Sequence, residues 1–96
     1  PASAAELYHI ANEAVHNAVK HGNADSIAIS LGKDDGRICL EVTDNGRGFG
    51  MDDPGKSDGL GLKLMRFRAR MIGAKIRIGN DPHGNGVRVT CTLQKG

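Results

Sequence analysis

Three short stretches carry groups whose types and spacing could do chemistry. In Asp44-Asn45-Gly46-Arg47-Gly48-Phe49 an acidic side chain precedes two glycines that let the backbone turn sharply. An ionised carboxylate only accepts hydrogen bonds, so a buried Asp44 wants a donor such as the exocyclic amine of adenine. Guanine would present an oxygen at that place and be repelled, so one residue can discriminate between the two bases. Taken alone, an Asp-x-Gly-x-Gly run is more often a turn whose aspartate caps local amides. Asn17 offers a side-chain carbonyl oxygen suited to Mg²⁺, an ion that prefers oxygen ligands and keeps waters while bridging phosphates. Glu13, one turn earlier, could hold a metal-bound water or orient an attacking group; alone, both residues also fit the solvated edge of a helix. Lys20 and His21 could contact phosphates or ribose, or could simply complement the negative end of a helix dipole. Gly59-Leu60-Gly61-Leu62, at a helix start, offers free amides that bind phosphate oxygens, or is a flexible loop-to-helix junction.

The elements that must position these groups follow from periodicity. Ser3-Ala4-Ala5-Glu6 reads as a capping box at a helix start. Leu7, Ile10, Ala11, Ala14, Val15 and Ala18 then recur at helical spacing as the buried face, and Gly22 reads as the C′ stop. At about 100° per residue, Glu13, Asn17, Lys20 and His21 form one polar stripe beside that face, with His9, Asn12 and His16 further toward solvent. Ile27, Ile29 and Leu31 alternate as a strand with one buried face, and Lys33-Asp34-Asp35-Gly36 turns the chain into an antiparallel partner. There Ile38, Leu40 and Val42 point inward, Cys39, Glu41 and Thr43 outward, and the same parity aims Asp44 inward. The stretch from Arg47 to Asp58 has no period and reads as a mobile lid of about a dozen residues. A second helix carries Leu62, Met65, Ala69 and Ile72 on one face and stops at Gly73. On that helix Lys63, Arg66 and Arg70 share a basic face, and Leu64, Phe67 and Met71 form a second apolar stripe that would pack in the fold or dock a partner domain. Ile76 and Ile78 suggest a third strand, and Val87, Val89, Cys91 and Leu93 the last. The expected fold class is α+β: a two-layer sandwich with both helices on one face of a mixed, largely antiparallel sheet.

Composition narrows the function classes. Ninety-six residues suit one domain, 1–96, without repeats. A formal net charge of +2 is too small to imply direct nucleic-acid binding. No apolar run approaches the roughly 20 residues that span a membrane, so no direct membrane contact is expected. Cys39 and Cys91 form no metal or redox motif and read as small packed side chains in a reducing, cytoplasmic compartment. The chain opens on Pro1 rather than Met, so a longer parent, soluble or membrane-anchored, is expected. The 14 glycines gather at apparent turns and in the motifs, where bends and close ligand approach need them.

In order and spacing, these segments resemble the ATP-binding catalytic domain of bacterial sensor histidine kinases, within the gyrase/Hsp90/MutL nucleotide-binding superfamily and its Bergerat-type fold. The run Ile10 to Gly22, with Glu13 and Asn17, is similar to that family's N box. The runs from Asp44 to Phe49 and from Gly59 to Arg70 are similar to its two glycine boxes. A short lid, the Met65-Arg66-Phe67-Arg68-Ala69 signature and the absence of a phenylalanine box resemble the subfamily partnered with NarL/LuxR-type response regulators.

The resemblance implies ATP and Mg²⁺ as cofactors. Asn17 would ligate Mg²⁺, Glu13 would stand at the catalytic position, and Lys20 and His21 would lie near phosphates and ribose. Asp44 would bind the adenine amine, with Gly46 and Gly48 shaping the base pocket. Gly59, Leu60, Gly61 and Leu62 would hold phosphates beneath the lid. It also implies two partners, a dimerisation domain bearing the phosphoacceptor histidine and, through it, the response regulator. His9, His16, His21 and His83 lie outside the family's acceptor motif, so the chain alone would bind ATP without phosphorylating itself. The pattern is departed from at Gly86-Val87, where Gly-Thr is frequent, at Gly73-Ala74, where Gly-Gly is common, and at Asp58, where histidine is often found. Competing readings are an anti-sigma-factor serine kinase of the same fold, a non-catalytic nucleotide-binding regulatory module, and a small interaction domain.

Overall fold

The computed structural model describes residues 2–46, 60–84 and 86–94. The element order is α1 (Ala2–Lys20), β1 (Ile27–Asp34), β2 (Arg37–Asp44), α2 (Leu60–Met71), β3 (Lys75–Asn80) and β4 (Val87–Gln94). The strands form one sheet in the order β1-β2-β4-β3, and all three pairings are antiparallel. The expected two-layer α+β sandwich is therefore present, without a parallel pairing among the described residues. The lid assigned to the stretch between Arg47 and Asp58 lies outside the described residues, as do Gly48 and Gly59.

The core lies where the periodicities intersect. Leu7, Ile10 and Ala14 of α1, and Leu62, Met65 and Ala69 of α2, close over Leu40, Val42, Val89 and Cys91 of the two central strands. Cys39 and Cys91 are both free thiols, and Cys91 is fully buried. Burial pushes the Cys91 thiol up from 9.0 to about 11, with Cys39 adding to the effect. Outward positions such as Glu41, Thr43, Thr90 and Thr92 stay partly solvated, which leaves one dry face on the sheet.

Turn chemistry sets the register. Asp35 (φ 48°) and Gly36 (φ 76°) form a two-residue hairpin loop with both central residues left-handed, the geometry that matches the twist of the flanking strands. Lys33 and Asp34, expected in the turn, belong to β1 and pair with Ile38 and Arg37. Gly73 (φ 70°) ends α2 as expected, and the Ala74 N–H closes on the Ala69 carbonyl at 2.9 Å as in a Schellman motif.

Three expectations need correction. The capping box is not the arrangement found: Ser3 lies inside α1, and the Glu6 carboxylate accepts a 2.8 Å charge-assisted hydrogen bond from Arg68 of α2. An ion pair between two half-buried groups outcompetes a local amide for that carboxylate. After α1 the left-handed residue is Asn23 (φ 53°), not Gly22. Finally, β1 has no buried face, because Ile29 and Leu31 are 57% and 66% exposed. They share a face with Val42 and Leu40, their cross-strand partners, but β1 is an edge strand, and of its apolar residues only the half-buried Ile27 packs against the core.

Candidate functional site

Asp44 is the last residue of β2 and is half-buried, on the inward parity expected of it. Its Oδ1 accepts the N–H of Gly46 at 2.8 Å and the N–H of Val87 at 3.3 Å. The local cap that sequence alone allowed is thus real, but it uses one oxygen. Among the described residues Oδ2 receives no hydrogen bond.

The residue after it, Asn45, ties the site together. Its Oδ1 accepts the amides of Asp25 and Ser26, both at 2.9 Å, and its own N–H donates to the Ser26 carbonyl at 3.2 Å. The turn after β2 is thereby pinned to the connection between α1 and β1. Gly46 packs so closely there that a Cβ on it would stand 2.5 Å from the Gly22 carbonyl oxygen. The Gly22 N–H in turn donates to the Asn17 carbonyl at 3.2 Å, beside the His21 N–H at 2.9 Å. A continuous path of contacts therefore runs from Asn17 through Gly22 and Gly46 to Asp44 and on to Val87. Sequence reasoning missed Asn45, Gly22 as a close-approach residue, and Gly86. All three stood inside segments already singled out, but only spatial neighbours reveal what they do.

Glu13 and Asn17 are half-buried on α1, whereas Lys20 and His21 are exposed, so the polar stripe leaves the core toward its C-terminal end. Glu13 also faces an open recess of about 260 Å³ lined by His9, Asn12, His16 and Arg68, with the His16 imidazole 3.9 Å from its carboxylate. Neither Asn17 nor Asp44 lines that recess. Leu60 and Gly61 open α2. The Leu62 side chain is buried in the core, so any ligand contact from it would be through its main chain. The expectation for Gly48 and Gly59 falls outside the described residues.

This arrangement sets a half-buried carboxylate, held through one oxygen by amides, beside the C-terminal turn of a helix that carries an amide side chain and a second carboxylate. Among the described residues no cluster of three or more His, Cys, Asp or Glu groups could hold a metal ion. A metal here would need Asn17 and ligand oxygens, which fits a hydrated Mg²⁺ bound with phosphates rather than an all-protein cage.

Known proteins of similar sequence and fold place the chain in a family. The sensor protein VraS of Staphylococcus aureus is 36% identical over 90 residues, covering 93% of this chain and 26% of that protein. The Staphylococcus epidermidis VraS is 34% identical over the same length. The chain thus spans about a quarter of the curated relatives it matches. The ATP binding domain of PrrB from Mycobacterium tuberculosis superposes with a TM-score of 0.79 at 29% identity, over 96% of this chain and 68% of that one. The histidine kinase domain of a blue-light activated kinase from Erythrobacter litoralis reaches a TM-score of 0.77 at 24% identity, over 98% of this chain and 45% of that one, a likeness of fold. Residues 2–96 match the family model described as histidine kinase-, DNA gyrase B-, and HSP90-like ATPase, and the chain belongs to that family.

Proposed function

We propose that residues 1–96 form the ATP- and Mg²⁺-binding catalytic domain of a cytoplasmic sensor-kinase module that phosphorylates a histidine on a separate dimerisation domain. The observation that carries this reading is the Asp44 carboxylate, locked through Oδ1 by two main-chain amides with Oδ2 left for a ligand donor. In this reading Oδ2 accepts the adenine amine, and Gly46 and Gly48 wall the base. Asn17 supplies the side-chain oxygen to Mg²⁺, which when bound neutralises phosphate charge. Glu13 orients the incoming acceptor, and Lys20 and His21 face phosphate and ribose from the exposed end of α1. The main-chain amides of Gly59, Leu60, Gly61 and Leu62 hold phosphate oxygens at the mouth of α2. Phosphoryl transfer asks mostly for positioning and charge neutralisation, which such fixed groups provide.

The acceptor and regulator are inferred from the motifs. The Met65-Arg66-Phe67-Arg68-Ala69 run supports a parent that signals to a NarL/LuxR-type response regulator through the dimerisation domain, without direct contact to nucleic acid or membrane. Among the described residues no helix is long and apolar enough to cross a membrane. The test is direct. The chain is titrated with ATP in the presence and absence of Mg²⁺, then mixed with labelled ATP and either a dimerisation domain carrying its acceptor histidine or a serine-bearing anti-sigma partner. Saturable Mg²⁺-dependent binding, label on the histidine, and none on the chain alone are expected. Label on serine instead, or no nucleotide binding at all, would overturn the reading.

A further inference from the structure

The cage around Asp44 contains one residue whose identity nothing in the function above requires. Continuing the β2–β4 register one step beyond Thr43↔Arg88 sets Asp44 opposite Val87, and there the Val87 N–H reaches the Asp44 carboxylate. Just before Val87, Gly86 is buried, and a Cβ added to it would overlap the Asp44 main-chain carbonyl oxygen and Oδ1. The crowding against Asp44 by itself demands a glycine at this position. Nor can the neighbour simply swing away. The Asp44 carbonyl belongs to β2, whose end is held by the Ile27↔Asp44 pairing and by the Asn45 hydrogen bonds to Ser26.

We propose that Gly86 is a specificity-determining positioning residue: its bare Cα lets β4 approach close enough for the Val87 amide to hold Oδ1, leaving Oδ2 alone to select a 6-amino over a 6-oxo purine. This rests on the nucleotide-binding reading of Asp44 and deepens it. With both amides in place the carboxylate has one orientation and offers one acceptor atom at one point. A 6-amino group donates to it, whereas a 6-oxo group brings a second acceptor against it. A methyl group at position 86 pushes β4 from Asp44, withdraws the Val87 amide and frees the carboxylate to rotate. Base discrimination then falls, while affinity contributed by the phosphates, which are gripped elsewhere, persists.

The experiment measures Mg²⁺-dependent affinities of the chain for ATP and inosine triphosphate by calorimetry and compares their ratio across variants. The unmodified chain is expected to prefer ATP by more than about tenfold, since a site built around one hydrogen bond rejects the analogue that cannot make it. In Gly86→Ala the ratio should fall to within about threefold of unity, with inosine triphosphate affinity little changed and cooperative unfolding retained. Val87→Pro removes the amide at a strand-initial position where proline is tolerated, and should lower the ratio part of the way. A folded Gly86→Ala chain with the original ratio, or one that loses both nucleotides by the same factor, overturns the proposal. Should Gly86→Ala not fold, an unchanged ratio in Val87→Pro overturns it. Failure of the unmodified chain to bind either triphosphate removes the nucleotide reading itself, a different result from binding with unaltered discrimination in the variants.

Discussion

At the scale of single residues, the division of labour within Asp44 makes a sharp prediction. In Asp44→Asn the two amides of Gly46 and Val87 demand an acceptor, so the carboxamide oxygen takes the place of Oδ1 and the NH₂ group replaces Oδ2. An outward donor repels a 6-amino purine and welcomes a 6-oxo one. ATP affinity should fall at least about tenfold and the ATP-over-inosine-triphosphate preference should invert, as competition binding would read directly. A variant that merely weakens both nucleotides would argue that Asp44 does not touch the base. Cys91 gives a pH prediction of a different kind. Its thiol in the folded chain is pushed up to about 11, mainly by burial. Below pH 9 the thiol is protonated in both states and contributes no pH dependence. Between pH 9 and 11 the unfolded chain releases this proton and the folded chain keeps it. Stability should therefore fall as pH rises, by at most ~1.4 kcal/mol per pH unit from this group. Urea melts of the original chain and Cys91→Ala across that window would show the steeper decline only where the thiol is present.

At the scale of elements, the ends of helices and strands decide where the site groups arrive. Gly73 closes α2 in the left-handed region, and nothing lies within 4 Å of where its Cβ would be. Gly73→Ala thus isolates backbone strain from crowding, and should cost about 1–2 kcal/mol in a denaturant melt, with nucleotide affinity unaffected. A cost near zero would mean that the Schellman closure by Ala74 is not maintained in solution. This stop was readable from the sequence because a glycine directly follows the last apolar position of a helical period. The stop of α1 was harder to read: Gly22 stood in the expected place, yet Asn23 takes the positive φ while Gly22 serves close packing against Gly46. Local rules recognise a glycine that bends, but not a glycine that makes room for another segment. Glu6 illustrates the same boundary, since a capping-box spacing says nothing about an arginine 62 residues away. Asp44 was legible because it inherits a strand's alternation, whereas the roles of Asn45 and Gly86 depend on which strand ends lie side by side.

At the scale of the whole molecule, period assigns faces but does not say how far the covering layer extends. Ile29 and Leu31 share the face of Leu40 and Val42 by their pairing, yet of the apolar residues on edge strand β1 only Ile27 packs against the core. Leu31 and Leu40 are directly opposed across β1 and β2, of the same residue type, at 66% and 3% exposure. They form an internal control for the extent of the core. Leu40→Ala removes packed atoms beneath α1 and should cost about 2–5 kcal/mol, the range for cavities that relax incompletely. Leu31→Ala removes a side chain already in water and should stay near the ±0.5 kcal/mol typical of surface changes, apart from a small loss of strand propensity. Urea midpoints measured at unchanged m-value would separate the two. Comparable costs at both positions would mean that β1 is covered in solution, by further chain or by a second molecule. The helix layer seen here would then be only part of what closes the fold, and the site between α1 and the β2–β4 end would sit deeper in the protein than its present half-buried Asp44 and Asn17 indicate.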